Sequence, residues 1–255
     1  NWIAEADIAT LRAKTGMSAA RMDLVPIAAQ VLRQIVLTFH PKEIDVSSYG
    51  IREGLLYEQM PQRLRMRDPL IEACRHAERT MARMPGFGKK LYQFILPIFR
   101  NLPEHRLRIV KAACLLHDTT WRAHPDYRAE ACFDNATRAN LGGLSHAERV
   151  YLGLALLHRY KNSRAGSRMA PLFALLDDHQ LREAEVLGKA MRFGAMFAVR
   201  APEDAGEIIW RQKKKVLDLR LNAGTQALFG EVAQARFTSL AEALGATANV
   251  TVVPA

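Results

Sequence analysis

The sequence predicts a mainly α chain, entered through a short α/β stretch and closed by a small α/β tail. Three observations predict it. Apolar residues recur at three- and four-residue steps through most of the chain. Proline and glycine breaks cut that text into helix-length pieces. Alternating, β-branched runs occur only toward the two ends.

Met22, Val25, Ala29, Leu32, Val36 and Phe39 form one apolar face, so residues 21–39 are expected to be helical. His40-Pro41 ends that helix, because proline biases the preceding residue away from helical backbone. Residues 43–47 alternate like a short strand, and a turn through Gly50 leads into a second helix. A lone strand cannot satisfy its backbone groups, so its sheet partners are expected elsewhere.

From Pro61 to about residue 200 the patterns are almost all helical. Asp68-Pro69 is a helix start, Pro85-Gly86-Phe87-Gly88 a break, and residues 88–100 and 104–117 two helices. Ser145 with Glu148 predicts a capping box, and residues 179–199 a long helix. After Ala201-Pro202 the tail reads as strand 208–221, helix 226–244 and strand 249–253. The expected divisions are 1–60, the end of an α/β domain; 61–202, a helical domain; and 203–255, a small α/β subdomain.

Across 255 residues, 36 Lys and Arg face 26 Asp and Glu, a net charge of +10. That surplus favours anionic partners: nucleic acid, polyphosphate, phosphorylated small molecules or acidic membrane. Cys74, Cys114 and Cys132 are widely spaced among apolar residues, so buried free thiols and a cytoplasmic location are expected. No apolar run is expected to span a membrane. The chain opens on Asn1 rather than Met and is expected to be part of something longer.

The sharpest chemical signal is Ala112-Ala113-Cys114-Leu115-Leu116-His117-Asp118, an apolar helix ending in a His-Asp pair. Imidazole and carboxylate suit a divalent metal, and His76 on a separate helix offers a third ligand. This stretch resembles the HD superfamily of metal-dependent phosphohydrolases. The resemblance implies a fourth ligand, an Asp on the long late helix, where Ala195 stands. Losing a carboxylate weakens a metal site, so the set His76, His117 and Asp118 is expected to be vestigial and no strong metal site is expected in this chain.

Gly50-Ile-Arg52-Glu-Gly-Leu-Leu56 follows the strand, and Arg159-Tyr160 follows Ala155-Leu156-Leu157. The order resembles the exopolyphosphatase and guanosine pentaphosphate phosphohydrolase family over residues 20–200. There a GxREGxL turn leads from the second actin-like (ribonuclease H-like) domain into an HD-like helical domain. Lys161 stands where the family commonly has His. The resemblance implies a mainly α fold: an HD-like helical domain after an actin-like remnant at 1–60. It also places the family's phosphate-gripping loops and catalytic Glu in an N-terminal actin-like half. No Asp-x-Gly-Ser or Gly-Gly-Gly-Ser type loop occurs in the sequence, so no catalytic residue is assigned to this chain.

The reading is therefore the polyphosphate-binding and dimerisation half of an exopolyphosphatase-like enzyme. Its parent would release terminal phosphate from inorganic polyphosphate or guanosine pentaphosphate with Mg²⁺. The expected partners are that polyanion, a second copy and the N-terminal half. Candidates for the grip are Arg52, Arg159, Lys161, Arg164 and Arg168, each balanced by the plainer reading of a solvated polar loop or surface. Two alternatives stand. One is an independent HD-type phosphohydrolase, with Glu130, Asp134, Asp177, Asp178 or His179 completing the ligands. The other is a basic nucleic-acid-binding or regulatory module, for which too few aromatics lie among the cations.

Overall fold

The computed structural model describes residues 7–253 apart from 45, 48 and 199. The chain divides into two compact units, residues 1–59 and 60–255.

The first unit contains α1 (Ile8–Thr15), α2 (Ala19–Met22), α3 (Val25–Phe39) and α4 (Ile51–Gln59). Asp7 caps α1 through the Thr10 amide, and Gly16 closes it in left-handed backbone. The helix expected over 21–39 is broken at Asp23-Leu24, because Pro26 sits in the first turn of α3. The alternating stretch 43–47 forms no strand among its described residues, and Asp45 lies outside them. Alternation without a neighbouring strand leaves the ladder hydrogen bonds unmade. No residue of α3 is buried; Ile27 is 61% and Phe39 75% exposed. Residues 20–39 also reach the length and mean hydropathy, 1.3, of a membrane span, which corrects the expectation that no segment does.

The second unit holds the core. Its helices are α5 (Gln62–Arg65), α6 (Pro69–Met81), α7 (Phe87–Phe99), α8 (Glu104–Leu116), α9 (Pro125–Arg138), α10 (His146–His158), α11 (Asp178–Phe197), α12 (Pro202–Ala205) and α13 (Glu231–Ala243). Asp68 accepts from the Leu70 amide at 2.9 Å and starts α6. The Ser145–Glu148 box starts α10 with hydrogen bonds of 3.2 and 2.8 Å. Asp177 and Gln180 do the same for α11.

Helices α10 and α11 run parallel. Tyr151 meets Glu183, Ala155 and His158 meet Gly188, and Asn162 meets Arg192, in ascending order on both. Gly188 makes this possible, since a Cβ there would overlap the His158 Cβ.

The tail is a three-stranded sheet, β1 (Gly206–Arg211), β2 (Val216–Leu221) and β3 (Thr247–Val252). β2 is central, antiparallel to β1 and parallel to β3. The single strand expected over 208–221 is thus a hairpin. Its turn, Gln212–Lys215, ends with Lys215 at φ 50°, a reversal with no glycine or proline to mark it. Helix α13 packs on α11, with the Phe193 and Phe237 rings 5.0 Å apart, so the tail shares the helical core.

Candidate functional site

The site is built where three helix ends meet. The last turn of α8 delivers His117 and Asp118, both buried. Buried Glu78 on α6 accepts from the Gly86 and Gly88 amides at 3.1 and 2.7 Å. That clamp holds the turn before α7, and it sets the Phe87 ring 5.4 Å from His117. Helix α9 closes the far side. Thr120 and Cys132 side chains pair at 2.5 Å, and Arg128 donates to the Trp121 and Ala123 carbonyls.

His117 donates through Nδ1 to the Cys114 carbonyl at 2.9 Å, which holds it as the Nδ1-H tautomer. Burial, then the charge of Arg159, pulls its pKa down to about 3, so the ring is neutral. Asp118 faces Arg83, with Nε to Oδ2 at 3.7 Å. The end of α10 brings in Arg159 and Tyr160. The Tyr160 hydroxyl donates to the His117 carbonyl at 3.0 Å, and the Arg159 guanidinium stands 4.9 Å from the Tyr160 ring. The Arg159 Nε is buried without a hydrogen-bond partner.

Those contacts do not make a metal site. His76 is exposed and shares a hydrogen bond with Arg79 at 3.2 Å. Among the described residues no three His, Cys, Asp or Glu side chains converge. Four substitute ligands are engaged elsewhere: Glu130 and Asp134 with arginines, Asp177 at its helix cap, His179 with Glu183 at 3.7 Å; the fifth, Asp178, is exposed in the first turn of α11. Two guanidinium groups, Arg83 and Arg159, also flank Asp118. Cationic surroundings with one carboxylate do not fit a divalent cation.

The candidate anion-gripping residues separate. Arg52 is exposed on α4, in the first unit. Lys161 pairs with Glu130 at 3.4 Å, and Arg168 with Glu130 at 3.0 Å and Asp134 at 2.5 Å. Their charges are compensated within the chain. Arg164 lines a surface cavity of about 350 Å³ with His158, Asn162 and Glu185. Arg159 is the candidate that the fold carries to the His117-Asp118 turn. Two other cavities, about 420 and 410 Å³, flank Tyr92; the cations Arg67, Arg75 and Arg108 there are already paired with Glu72 or Asp68.

Two further arginines carry no mark in the sequence pattern that singled out the others. Arg192 on α11 donates to the Asn162 side chain at 2.7 Å. Arg236 on α13 has a buried Nε without a partner. The usable signal was Arg192 lying three residues before Ala195, hence on the same helix face; nothing in the sequence marked Arg236.

A family model described as "Exopolyphosphatase, C-terminal" matches residues 75–251. Retrograde regulation protein 2 of Saccharomyces cerevisiae is 32% identical over 129 residues, which is 47% of this chain and 20% of that protein. The matched region therefore spans about a fifth of that relative's length.

Proposed function

We propose, for a chain that belongs to the exopolyphosphatase C-terminal family, that it holds a phosphate chain rather than hydrolysing one. It would be the polyphosphate-binding and dimerising half of an exopolyphosphatase-like enzyme. The parent would cut terminal phosphate from polyphosphate or guanosine pentaphosphate. The carboxylate that orients water, and the Mg²⁺ that polarises the phosphoryl group, would belong to an actin-like half outside these residues.

The observation that carries this reading is Arg159, a guanidinium with a buried, unpartnered Nε on a chain of net charge +10. Guanidinium forks match phosphate oxygens two at a time. The bare apolar surface of α3 supports a packed neighbour for the first unit, either the actin-like half or a second copy. The free thiols of Cys74, Cys114 and Cys132 are all buried, which supports a reducing cytoplasm.

The test is polyphosphate binding and phosphate release by the purified chain, at low salt, with Mg²⁺ and with Mn²⁺. Binding without release is expected. Release that vanishes in Asp118→Ala would transfer the chemistry to the His-Asp turn and overturn the proposal. Tighter binding of an oligonucleotide than of polyphosphate at matched salt would favour a nucleic-acid module instead.

A further inference from the structure

Three arginines lie along α11, which packs against α10 on one side and α13 on another. Arg159 ends α10, and Asn162, three residues on, accepts from Arg192 of α11 at 2.7 Å. Arg192 and Arg236 are the residues just before Phe193 and Phe237, whose rings touch at 5.0 Å across α11 and α13. Burial, and then the like charges of Arg236 and Arg159, push the Arg192 guanidinium down to about 10.

What sets this trio apart is two buried Nε atoms without an acceptor, on Arg159 and Arg236, beside a third cation, with Asp118 acting on Arg159 only from beyond ion-pair distance. Some half-buried arginines of the second unit have carboxylates, as Arg106 meets Glu183 at 2.7 Å and Arg108 meets Asp68 at 2.8 Å, and others donate to backbone carbonyls, as Arg128 and Arg149 do. Among the described residues, Arg159, Arg192 and Arg236 have no carboxylate within ion-pair distance. The Nε atoms of Arg159 and Arg236 have no hydrogen-bond partner either. A partly desolvated guanidinium without acceptors is costly, and three together repel one another. An oxyanion removes both costs, since it brings negative charge and several acceptors at once.

We propose that Arg159, Arg192 and Arg236 form a phosphate-binding pocket that holds one phosphate group of a condensed phosphate, with Asn162 fixing the orientation of Arg192. This rests on the polyphosphate reading and locates its grip at the junction of the helical core and the tail. Arg192 also occupies the turn before Ala195, so the helix face that lacks the acidic ligand carries a cation instead. Half-buried Arg164 and exposed Arg168, in the loop that follows, are then secondary.

The test uses the full chain with pyrophosphate and with long polyphosphate as probes, read by calorimetry and by thermal unfolding. Variants are Arg192→Gln, Arg236→Gln and Arg159→Gln, with Arg168→Gln as the control. Pyrophosphate should raise the unfolding temperature of the unaltered chain. The shift should vanish in Arg192→Gln and Arg236→Gln, with affinity down tenfold or more, while Arg168→Gln keeps it. Because an uncompensated cation is removed, Arg236→Gln should melt no lower than the parent without ligand; this keeps the test informative if Arg159→Gln fails to fold. Equal binding by parent and by Arg192→Gln and Arg236→Gln overturns the pocket, even where polyphosphate still binds elsewhere. Pyrophosphate held by the trio, with polyphosphate no tighter, keeps the pocket and refutes the long-chain reading.

Discussion

The Tyr160 hydroxyl and the His117 carbonyl are joined by a 3.0 Å hydrogen bond across 43 residues of sequence. It ties the end of α10 to the end of α8, two of the helix ends that build the candidate site. Tyr160→Phe removes the donor and keeps the ring beside Arg159. The expected cost is about 1 kcal/mol of stability, the usual net value of one hydrogen bond. Urea unfolding measures it. A loss near zero would mean that the two helix ends are positioned by packing alone.

Gly188 sets the spacing of α10 and α11. In Gly188→Ala the new Cβ would overlap the His158 Cβ and stand 2.5 Å from the Ala155 carbonyl oxygen. Neither neighbour can turn aside, so about 3 kcal/mol of stability is expected to be lost. Gly54 of α4 has nothing within 4 Å of its Cβ position. Gly54→Ala should therefore be neutral or stabilising, by up to about 1 kcal/mol, from helix propensity. The same sign for both substitutions would contradict the helix spacing described above.

The two buried histidines make the chain sensitive to acid. Burial and the Arg159 charge take His117 to about 3, and burial takes His158 to about 4 against the pull of Glu185. Both lie below the ordinary value of 6.5. Folded, they bind fewer protons than unfolded, so their contribution is complete above pH 6.5 and is lost as pH falls from there toward 4 and then 3. Each should add a slope of about 1.4 kcal/mol per pH unit in that window. Stability measured at about pH 7, 6 and 5 should fall less steeply in His117→Asn than in the parent. Parallel curves would mean that His117 is as easily protonated folded as unfolded.

Arg168 tests which cations are free. Its pairs with Glu130 and Asp134 are exposed and screened by solvent, so Arg168→Ala should leave the unfolding midpoint nearly unchanged. Its effect on polyphosphate affinity should be smaller than that of Arg159→Gln, because Glu130 and Asp134 already neutralise it. A larger effect would return the grip to the 159–168 loop.

Local chemistry was readable from the sequence where it acts over three or four residues. Asp68, Ser145 with Glu148, and the apolar turn ending in His117-Asp118 all stand as their spacing implies. What escaped depends on chain reversal and distant contact. Lys161 and Arg168 meet Glu130 across 31 and 38 residues, a pairing with no local pattern. The β1–β2 hairpin turns through Lys215 in left-handed backbone, where glycine would have announced it. Arg192 and Arg236 become neighbours only because Phe193 meets Phe237 in the core.

Asp118 gives the sharpest division between an anion site and a metal site. Its carboxylate faces Arg83 at 3.7 Å and lies in the field of Arg159. If the turn serves an anion, Asp118 competes with the ligand for those cations. Asp118→Asn keeps the shape and removes that charge, so pyrophosphate affinity should rise by about threefold to tenfold, most at low salt. If the turn serves a metal, the same substitution removes an anionic ligand, and any Mg²⁺- or Mn²⁺-dependent phosphate release should collapse. Calorimetry with pyrophosphate and a phosphate-release assay on the one variant therefore move in opposite senses under the two readings. Weaker pyrophosphate binding in Asp118→Asn would remove the electrostatic competition on which the anion reading of this turn depends.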